Sequence, residues 1–246
     1  MCTVTFCPSE EGWLLTSSRD VKYSRAKASF PTQKTANKIL ALYPEDGLAK
    51  GTWIGVNSIG LTVCLLNGAF VKHKSTGNYV KSRGQIVLEL LTTDAPKNYL
   101  SVSILEGIEP FTLVFIYKEC LLEYRWDGMS LHKKHLDIKQ KHLWSSVTLY
   151  SEQTIAQRQK LFRQWVQPKK LTEKECIAYH RIAFEELGPE NSALMSRPEE
   201  DYGTVSLSCI KASKEKKTFF YQDLIHHSSE LVQCPNEHAL ENNEEQ

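Results

Sequence analysis

The chain has 246 residues, of which 41% are hydrophobic and 24% are charged, a composition typical of an ordinary globular protein. Lysine and arginine total 30 against 29 aspartate and glutamate residues, so the net charge of +1 gives no overall field to attract nucleic acid or an anionic membrane. No apolar run approaches the ~20 residues of a membrane span, and the first residues lack the basic and apolar regions of a secretory signal. These features predict a cytoplasmic protein without a membrane span.

Strand pairs are predicted first along the chain. Residues 3–6 alternate β-branched and aromatic side chains, which is the pattern of a strand, and a turn signal separates them from a partner strand. Residues 24–50 contain several breakers and no regular period, so we expect an irregular excursion over the surface. Further strands of β-rich composition are predicted at residues 13–16, 52–56, 61–66, 111–117, 121–126, 129–132, 143–150, 204–210 and 218–221.

Helices are predicted where apolar residues recur at helical spacing. Ser82 and Gln85 have the spacing of a capping box and precede one apolar face, and Thr172 and Glu175 have the same spacing. Two more helices are predicted at residues 97–105 and 154–166. Strand pairs, then helices, then more strands favour a layered α+β sandwich over a doubly wound parallel sheet.

The chain is expected to form one domain over residues 1–227, followed by a polar, acidic tail over residues 228–246 without fixed structure. Neither glycine-rich phosphate-binding motif occurs. The seven cysteines are widely spaced and form no zinc-binding pattern, so no metal site is predicted. Four of them lie in apolar or amphipathic stretches and are expected to be buried thiols in a reducing compartment: Cys64, Cys120, Cys176 and Cys209.

The candidate chemistry centres on Cys2, which directly follows the initiator methionine. Removal of Met1 leaves a thiol and a free α-amine on the same residue. The thiolate is the attacking species, and an α-amine with a pKa of about 7.7–8.0 can take the thiol proton near neutral pH.

Three further residues are candidates for a site around that thiol. An antiparallel partner to the first strand brings Arg19 and Asp20 beside Cys2, where a cation lowers the pKa of a thiol and a carboxylate orients an amine. The alternative for this pair is a solvated ion pair at a turn. Asn67 ends an apolar strand, where its amide would serve as an oxyanion donor or, alternatively, as a turn residue before Gly68.

Several motifs occur in the order that a known family shows. They are Cys2 at the start, Ser18-Arg19-Asp20, Gly51-Thr52-Trp53-Ile54-Gly55, Leu66-Asn67, Ser82-Arg83-Gly84 before an apolar helix, and Tyr202-Gly203-Thr204. With them the sequence resembles the NRDE family, also called the transport and Golgi organisation family, and it is most similar to the bacterial branch. The resemblance covers residues 1–225 and is strongest in the first ninety.

That resemblance implies a four-layer αββα sandwich of the N-terminal nucleophile (Ntn) hydrolase type, similar to the choloylglycine hydrolases that cleave amide bonds. By motif, Cys2 would be the nucleophile with its own amine as base. Arg19 and Asp20 would poise the thiol and the amine, and Asn67 would help to hold the oxyanion. The implied function is cleavage of a C–N bond in a small-molecule substrate, without a metal or organic cofactor.

The sequence departs from the family pattern near the expected site. Ser18 and Val21 replace the first and last residues of the Asn-Arg-Asp-Glu motif. Ser145-Ser146 stands where many relatives have Ser-Asn, and Val205 stands where some have arginine. Arg197 is a candidate to replace that arginine in space. Each lost oxyanion donor would add about 3–4 kcal/mol to the barrier.

The alternative function is non-catalytic handling of haem or another lipophilic small molecule on the same fold. Two Cys-Pro pairs, at Cys7 and Cys234, and histidines at 226, 227 and 238 offer axial ligands of the right type for haem as a carried ligand. The lysine- and histidine-rich stretch at residues 132–142 is interpreted as a solvated hairpin edge rather than an anion site. Nucleic-acid binding is not predicted, because no aromatic residues are interleaved with that charge.

Overall fold

The computed structural model describes residues 3–167 and 171–236. These residues fall into two compact units, one of residues 3–25 and 138–233 and the other of residues 26–137 with those from 234 onward. Each unit contains one antiparallel sheet. Within the described ranges, no helix is both long and apolar enough to cross a bilayer. The cytoplasmic location and the single domain over residues 1–227 stay predictions.

The strands and helices have the following bounds. The strands in chain order are β1 (Thr3–Pro8), β2 (Gly12–Lys22), β3 (Thr32–Ala36), β4 (Ile39–Tyr43), β5 (Ile54–Asn57), β6 (Thr62–Asn67), β7 (Phe111–Tyr117), β8 (Cys120–Trp126), β9 (Leu131–Leu136), β10 (His142–Ser145), β11 (Ser196–Arg197), β12 (Tyr202–Ser213), β13 (Lys217–Asp223) and β14 (Ser228–Gln233). The helices are α1 (Arg83–Leu91), α2 (Pro96–Tyr99), α3 (Val102–Leu105), α4 (Glu152–Trp165) and α5 (Glu173–Tyr179), with a 3₁₀ turn at Pro198–Glu200.

The sheet of the first unit has the order β10-β1-β2-β12-β13-β14, and β11 adds a short pairing to β12. Helices α4 and α5 carry apolar residues that pack with one face of this sheet, as the spacing of their apolar residues predicts. The core of this unit is formed by Cys7, Leu14, Phe162, Val166, Leu171, Cys176, Ile177, Tyr179, Ala193, Leu207 and Cys209.

Both helices of the first unit begin at capping residues. The hydroxyl of Ser151 accepts a hydrogen bond from the backbone of Thr154 at 3.1 Å and caps α4. The predicted capping box at α5 is confirmed, because Thr172 accepts from the backbone of Glu175 at 3.3 Å while the Glu175 carboxylate accepts from the backbone of Thr172 at 2.9 Å.

In the second unit the strands follow one another in the order β3-β4-β5-β6-β7-β8-β9. Helix α1 lays its apolar face, Ile86, Val87, Leu90 and Leu91, into the core of this sheet. Strand β9 lies at the sheet edge with exposed lysine and histidine side chains, which confirms the interpretation of residues 132–136 as a solvated edge.

The start predicted for α1 is correct, but its capping box is not formed. Ser82 is the N-cap and its side chain makes no capping hydrogen bond. The Gln85 amide instead donates to the backbone carbonyl of Lys50 at 3.1 Å. The backbone at Gly51 and the backbone at Gly84 lie so close together that a Cβ on either glycine would be 3.3 Å or less from backbone atoms of the other segment. This close approach explains glycine at these two motif positions.

Residues 24–50 are not an irregular excursion, because they contain the hairpin β3–β4. Ala36 pairs directly with Ile39, so the turn has two residues, Asn37 and Lys38, with φ of 52° and 60°. Two consecutive positive φ values are typical of a type I′ hairpin turn. A lysine is uncommon in that conformation, which hides the turn in the sequence.

Other boundaries also differ from the predictions. The strand expected at 143–150 ends at Ser145, and the helix expected at 97–105 is divided into α2 and α3 by Leu100, which is extended. Residues 228–233, expected to begin the unstructured tail, form β14 paired with β13. Residues 237–246 lie outside the described residues. Three of the four cysteines predicted to be buried are buried, whereas Cys120 is half-buried.

Candidate active site

The structure describes three of the four predicted site residues. Arg19 and Asp20 lie next to each other on β2 in the first unit. Asn67 is the last residue of β6 in the second unit, paired with Phe111 of β7. Cys2 lies outside the described residues, so the catalytic roles assigned to this set stay predictions.

Arg19 and Asp20 are buried in the middle of the sheet. Arg19 is 4% exposed and Asp20 is 0% exposed, and β2 lies between β1 and β12. The alternative of a solvated ion pair at a turn is therefore wrong. A buried pair of ionisable side chains requires polar partners, because an unpaired charge in a protein interior is strongly unfavourable.

The Asp20 carboxylate is held by hydroxyl donors from two other segments. Thr204 Oγ1 donates to Asp20 Oδ1 at 2.7 Å, and the hydroxyl of Tyr150 donates to Oδ2 at 3.4 Å. The hydroxyl of Tyr202 donates to the backbone carbonyl of Asp20 at 3.0 Å. These hydrogen bonds give both carboxylate oxygens of Asp20 a partner and fix the orientation of its side chain.

A β-bulge in β12 lies opposite these residues. Thr204 pairs with Asp20 and Ser206 pairs with Arg19, so Val205 is the extra residue of the bulge. The Tyr-Gly-Thr motif therefore has a structural role beside Asp20. A Cβ at Gly203 would collide with the hydroxyl of Tyr23, so a larger residue at that position would require the Tyr23 ring to move.

Arg158 of α4 is the most heavily bonded side chain in this region. It is 1% exposed. Its guanidinium donates to Ser145 Oγ at 3.0 Å, to the carbonyls of Asn191 at 2.5 Å and Ser192 at 2.7 Å, and to Thr3 Oγ1. Thr3 begins β1 and pairs with Ser145 of β10, so one side chain fixes both strands at the position next to Cys2 in the sequence.

The positive charge of Arg158 is balanced by dipoles and an aromatic face. Across the described ranges, no carboxylate lies within ion-pair distance of its guanidinium. The guanidinium carbon is 4.3 Å from the centre of the Tyr150 ring, a favourable cation–π distance. Since the Tyr150 hydroxyl donates to Asp20, this ring connects the buried cation to the buried carboxylate.

Arg197 reaches the same tyrosine. Its guanidinium carbon is 5.9 Å from the Tyr150 ring centre, and it donates to the carbonyl of Leu149 at 3.1 Å. Arg197 is the candidate from the sequence to replace an arginine at position 205 in space. Arg197 thus contacts Tyr150, which in turn donates a hydrogen bond to Asp20.

His180, just after α5, connects β1 and β2. Its Nε2 is 2.9 Å from Thr5 Oγ1 and its Nδ1 is 2.7 Å from Ser18 Oγ. The ring is fully buried, and burial, together with the positive charge of Arg158, lowers its pKa to about 3. His180 is therefore neutral near pH 7, with one ring nitrogen donating and the other accepting.

Two thiols in the core of the first unit, Cys176 and Cys209, have raised pKa values and are poor nucleophiles. A hydrogen bond with Cys7, followed by burial, raises the pKa of the Cys176 thiol far above its usual range. Burial raises the pKa of the Cys209 thiol, which accepts from Thr16 Oγ1 at 3.3 Å. Thiols that stay protonated do not attack carbonyl groups.

The residues considered for haem belong to different units of the structure. Cys7 is buried in the first unit, and Cys234 is buried in the second. His226 Nδ1 is 2.9 Å from Asp223 Oδ2, and position 238 lies outside the described residues. Among residues 3–167 and 171–236, no cluster of three or more histidine, cysteine or acidic side chains is placed to hold a metal ion. Haem binding stays a prediction.

Sequence reasoning missed Arg158, Tyr150 and His180. For Arg158 a signal existed, since it lies three residues after Ile155 and four before Phe162, on the face of α4 predicted to be apolar. A charged residue at such a position indicates a buried polar contact. His180 and Tyr150 gave no comparable signal, because their partners are distant in sequence.

Known structures share this architecture at low sequence identity. The chain is similar to penicillin V acylase from Agrobacterium tumefaciens, with a TM-score of 0.56 and 12% identity over 94% of this chain and 86% of that one. It is similar to a Caenorhabditis elegans orthologue of N-acylethanolamine-hydrolysing acid amidase, with a TM-score of 0.56 and 11% identity over 85% of this chain and 92% of that one. A variant of conjugated bile acid hydrolase from Clostridium perfringens gives a TM-score of 0.54 and 13% identity over 94% and 92%.

These likenesses define the class of protein, which has the Ntn hydrolase fold, and they confirm the predicted α+β sandwich of that type. No curated protein matches the chain. The chain belongs to the Transport and Golgi organisation 2 family, whose model matches residues 1–227. The resemblance drawn from the sequence is thus confirmed at the level of the family, while the NRDE label and the bacterial branch stay predictions.

Proposed function

We propose that this chain is an Ntn-type cysteine hydrolase that cleaves the C–N bond of a small amide through Cys2 after Met1 is removed. The observation that carries the proposal is the buried polar network of Asp20, Tyr150 and Arg158, which ends on Thr3, the residue bonded to Cys2. Buried ionisable groups held by specific polar partners are enriched at functional sites, and this network lies at the end of β1 next to Cys2 in the sequence.

The likeness to amide-cleaving enzymes supports the reaction class. Penicillin V acylase and N-acylethanolamine-hydrolysing acid amidase are among the similar structures. At 11–13% identity the likeness supports the fold. Amide substrates are proposed for this chain by analogy with those enzymes.

The proposed reaction proceeds through an acyl-enzyme. The thiol proton of Cys2 passes to its α-amine while Sγ bonds to the amide carbon, and that proton then moves to the leaving nitrogen as the C–N bond breaks. Water attacks the thioester and gives one proton to the amine. As the C–S bond breaks, the ammonium returns that proton to sulfur, and the carboxylic acid and the free thiol are released. Asp20 would orient the ammonium form, and Arg19 would favour the thiolate.

The oxyanion would be held by the Asn67 amide and backbone donors. The other candidate positions supply no amide. Ser145 Oγ is an acceptor for Arg158, and Ser146 Oγ lies 2.8 Å from Thr148 Oγ1. With one side-chain amide in place of two, we expect a slow enzyme, because each missing donor raises the barrier by about 3–4 kcal/mol.

Cys2 chemistry tests the proposal directly. We expect the intact mass of the purified protein to lack Met1, and iodoacetamide to modify Cys2 much faster than the other thiols near neutral pH. A panel of small chromogenic amides should be hydrolysed by the wild type and not by Cys2→Ala. Cys120→Ala is the matched control, because Cys120 is a half-buried thiol that belongs to the second unit.

Retention of Met1, or alkylation of Cys2 at the rate of an ordinary thiol, would overturn the hydrolase proposal. Hydrolysis that persists in Cys2→Ala would assign the activity to another group.

A further inference from the structure

Four large apolar side chains of the second unit are exposed around one short segment. Phe70 is 47% exposed, Val71 65%, Val80 79% and Met129 83%. We call these four side chains the apolar patch. Single exposed apolar residues are ordinary on protein surfaces, but a contiguous group of them marks an interaction site.

The hairpin β8–β9 holds one side of the apolar patch together. The Phe70 ring is 4.9 Å from the His132 ring and 5.1 Å from the guanidinium carbon of Arg125. Arg125 also donates to the carbonyl of Ala69 at 2.6 Å. The loop that carries Phe70 and Val71 is therefore fixed to the hairpin whose turn carries Met129.

The segment at residues 107–110 holds the other side. The backbone of Gly68 donates to the carbonyl of Pro110 at 3.0 Å, and that of Val80 donates to Gly107 at 3.0 Å. Both ends of the loop at residues 68–82 are thus anchored on one short segment, so the exposed side chains belong to one surface.

Cations interrupt this apolar surface. Lys72 and Lys74 are exposed and, over the described parts of the chain, have no ion-pair partner. No acidic residue lies between Asp46 and Glu89 in the sequence. The net charge of the whole chain is only +1, but its distribution leaves this stretch positive.

Carboxylates near the apolar patch are mostly engaged. Glu109 is 3.0 Å from Arg83 and 3.1 Å from His73, while Asp127 lies 2.7 Å from His132. Glu106, next to Gly107, is exposed. The surface therefore keeps a positive balance from Lys72 and Lys74.

We propose that the apolar patch, with Lys72 and Lys74, docks the protein onto the surface of an anionic lipid bilayer. The apolar side chains would enter the headgroup level, and the two ammonium groups would lie among the lipid phosphates. Exposed apolar residues flanked by lysines are the combination that binds such surfaces, since each part alone is weak. A partner with an acidic headgroup matches the charge that the structure leaves uncompensated.

Sedimentation with lipid vesicles tests this docking surface on the full chain. We expect binding to mixed phosphatidylcholine–phosphatidylglycerol vesicles and little binding to phosphatidylcholine alone, with the affinity falling as salt is raised. Lys72→Gln combined with Lys74→Gln should weaken binding roughly twenty-fivefold, because each lysine near an anionic surface contributes about fivefold. Val71→Ser should weaken it by about tenfold.

Matched controls exist elsewhere on the chain. Leu48→Ser removes an apolar side chain that is 68% exposed outside the apolar patch, and Lys214→Gln with Lys216→Gln removes two exposed lysines from the turn between β12 and β13. Equal loss in these controls, or no binding of the wild type to anionic vesicles, would overturn the proposal. Dimerisation that Val71→Ser abolishes while vesicle binding is unchanged would overturn it too, and would assign the patch to a second copy.

Discussion

Arg158 is the residue of the candidate site whose hydrogen bonds should contribute most to the stability of the folded protein. Its guanidinium is buried and donates to four acceptors on three segments. Arg158→Met should lower the free energy of unfolding by about 3–5 kcal/mol, because each acceptor loses a charged donor. Arg158→Lys should recover part of this loss, since it restores the charge without the planar fork.

Urea unfolding measures these changes. Arg163→Met on the same helix is the control, because Arg163 is exposed, and it should change the stability by less than about 0.5 kcal/mol. Equal stability of Arg158→Met and Arg163→Met would show that the buried network contributes nothing to the folded state.

His180 gives the fold a defined dependence on pH. Its pKa is about 3 in the folded protein because the ring is buried and faces Arg158, whereas an unfolded histidine has a pKa near 6.5. Below about pH 6.5 the histidine is protonated in the unfolded chain but stays neutral in the folded chain, so the free energy of unfolding decreases as the pH falls. The loss attributable to His180 approaches about 1.4 kcal/mol per pH unit.

Unfolding curves recorded between neutral and acidic pH test this. The wild type should lose stability more steeply than His180→Gln, which keeps hydrogen-bonding groups without a titrating ring. Glu173, whose pKa is raised by burial, is common to both proteins, so the difference between them reports on His180. Identical slopes would mean that His180 is not held neutral.

At the scale of single elements, the two helix starts form a natural pair for comparison. Thr172 makes both bonds of a capping box, while Ser82 makes no side-chain cap. Thr172→Ala should therefore lower the free energy of unfolding by about 1 kcal/mol, and Ser82→Ala should change it by a few tenths at most. Thermal or urea unfolding of the two variants checks this, and a larger loss in Ser82→Ala would contradict it.

The same pair shows how far sequence patterns reach. The spacing of Thr172 and Glu175 predicted both the helix and its cap, but at α1 the equivalent Gln85 bonds to Lys50 in another segment. Local patterns locate elements, whereas the partner that a side chain selects depends on what the fold brings near. Strands β3 and β4 were missed for a related reason, because β3 is exposed along its length and has no apolar alternation to detect.

The candidate site was predictable to the same extent. Arg19 and Asp20 were predicted because they belong to a recognisable motif, whereas their burial follows from the position of β2 in the sheet. Tyr150, Arg158 and His180 come from separate segments and reach Asp20, Thr3 and Ser18 only in the folded chain. Such long-range polar contacts have no local period, so one sequence cannot reveal them.

At the scale of the whole molecule, the two units are not successive in the chain. The first unit is assembled from residues 3–25 and 138–233, and the second occupies most of the sequence between them. The sequence pattern does not indicate this arrangement, because a strand has the same alternation of side chains whether its partner strand is close or distant in the sequence. The register of β1 with both β2 and β10 shows it at once.

This discontinuity sets an order of events during synthesis on the ribosome. The hairpin β1–β2 emerges early, but a lone hairpin is marginally stable in water. Its outer partners, β10 and β12, are translated only after the whole second unit, and so is Arg158, which locks Thr3 in place. The first strand therefore stays accessible to processing enzymes in the nascent chain until β10, β12 and α4 have been synthesised and can pack with the hairpin.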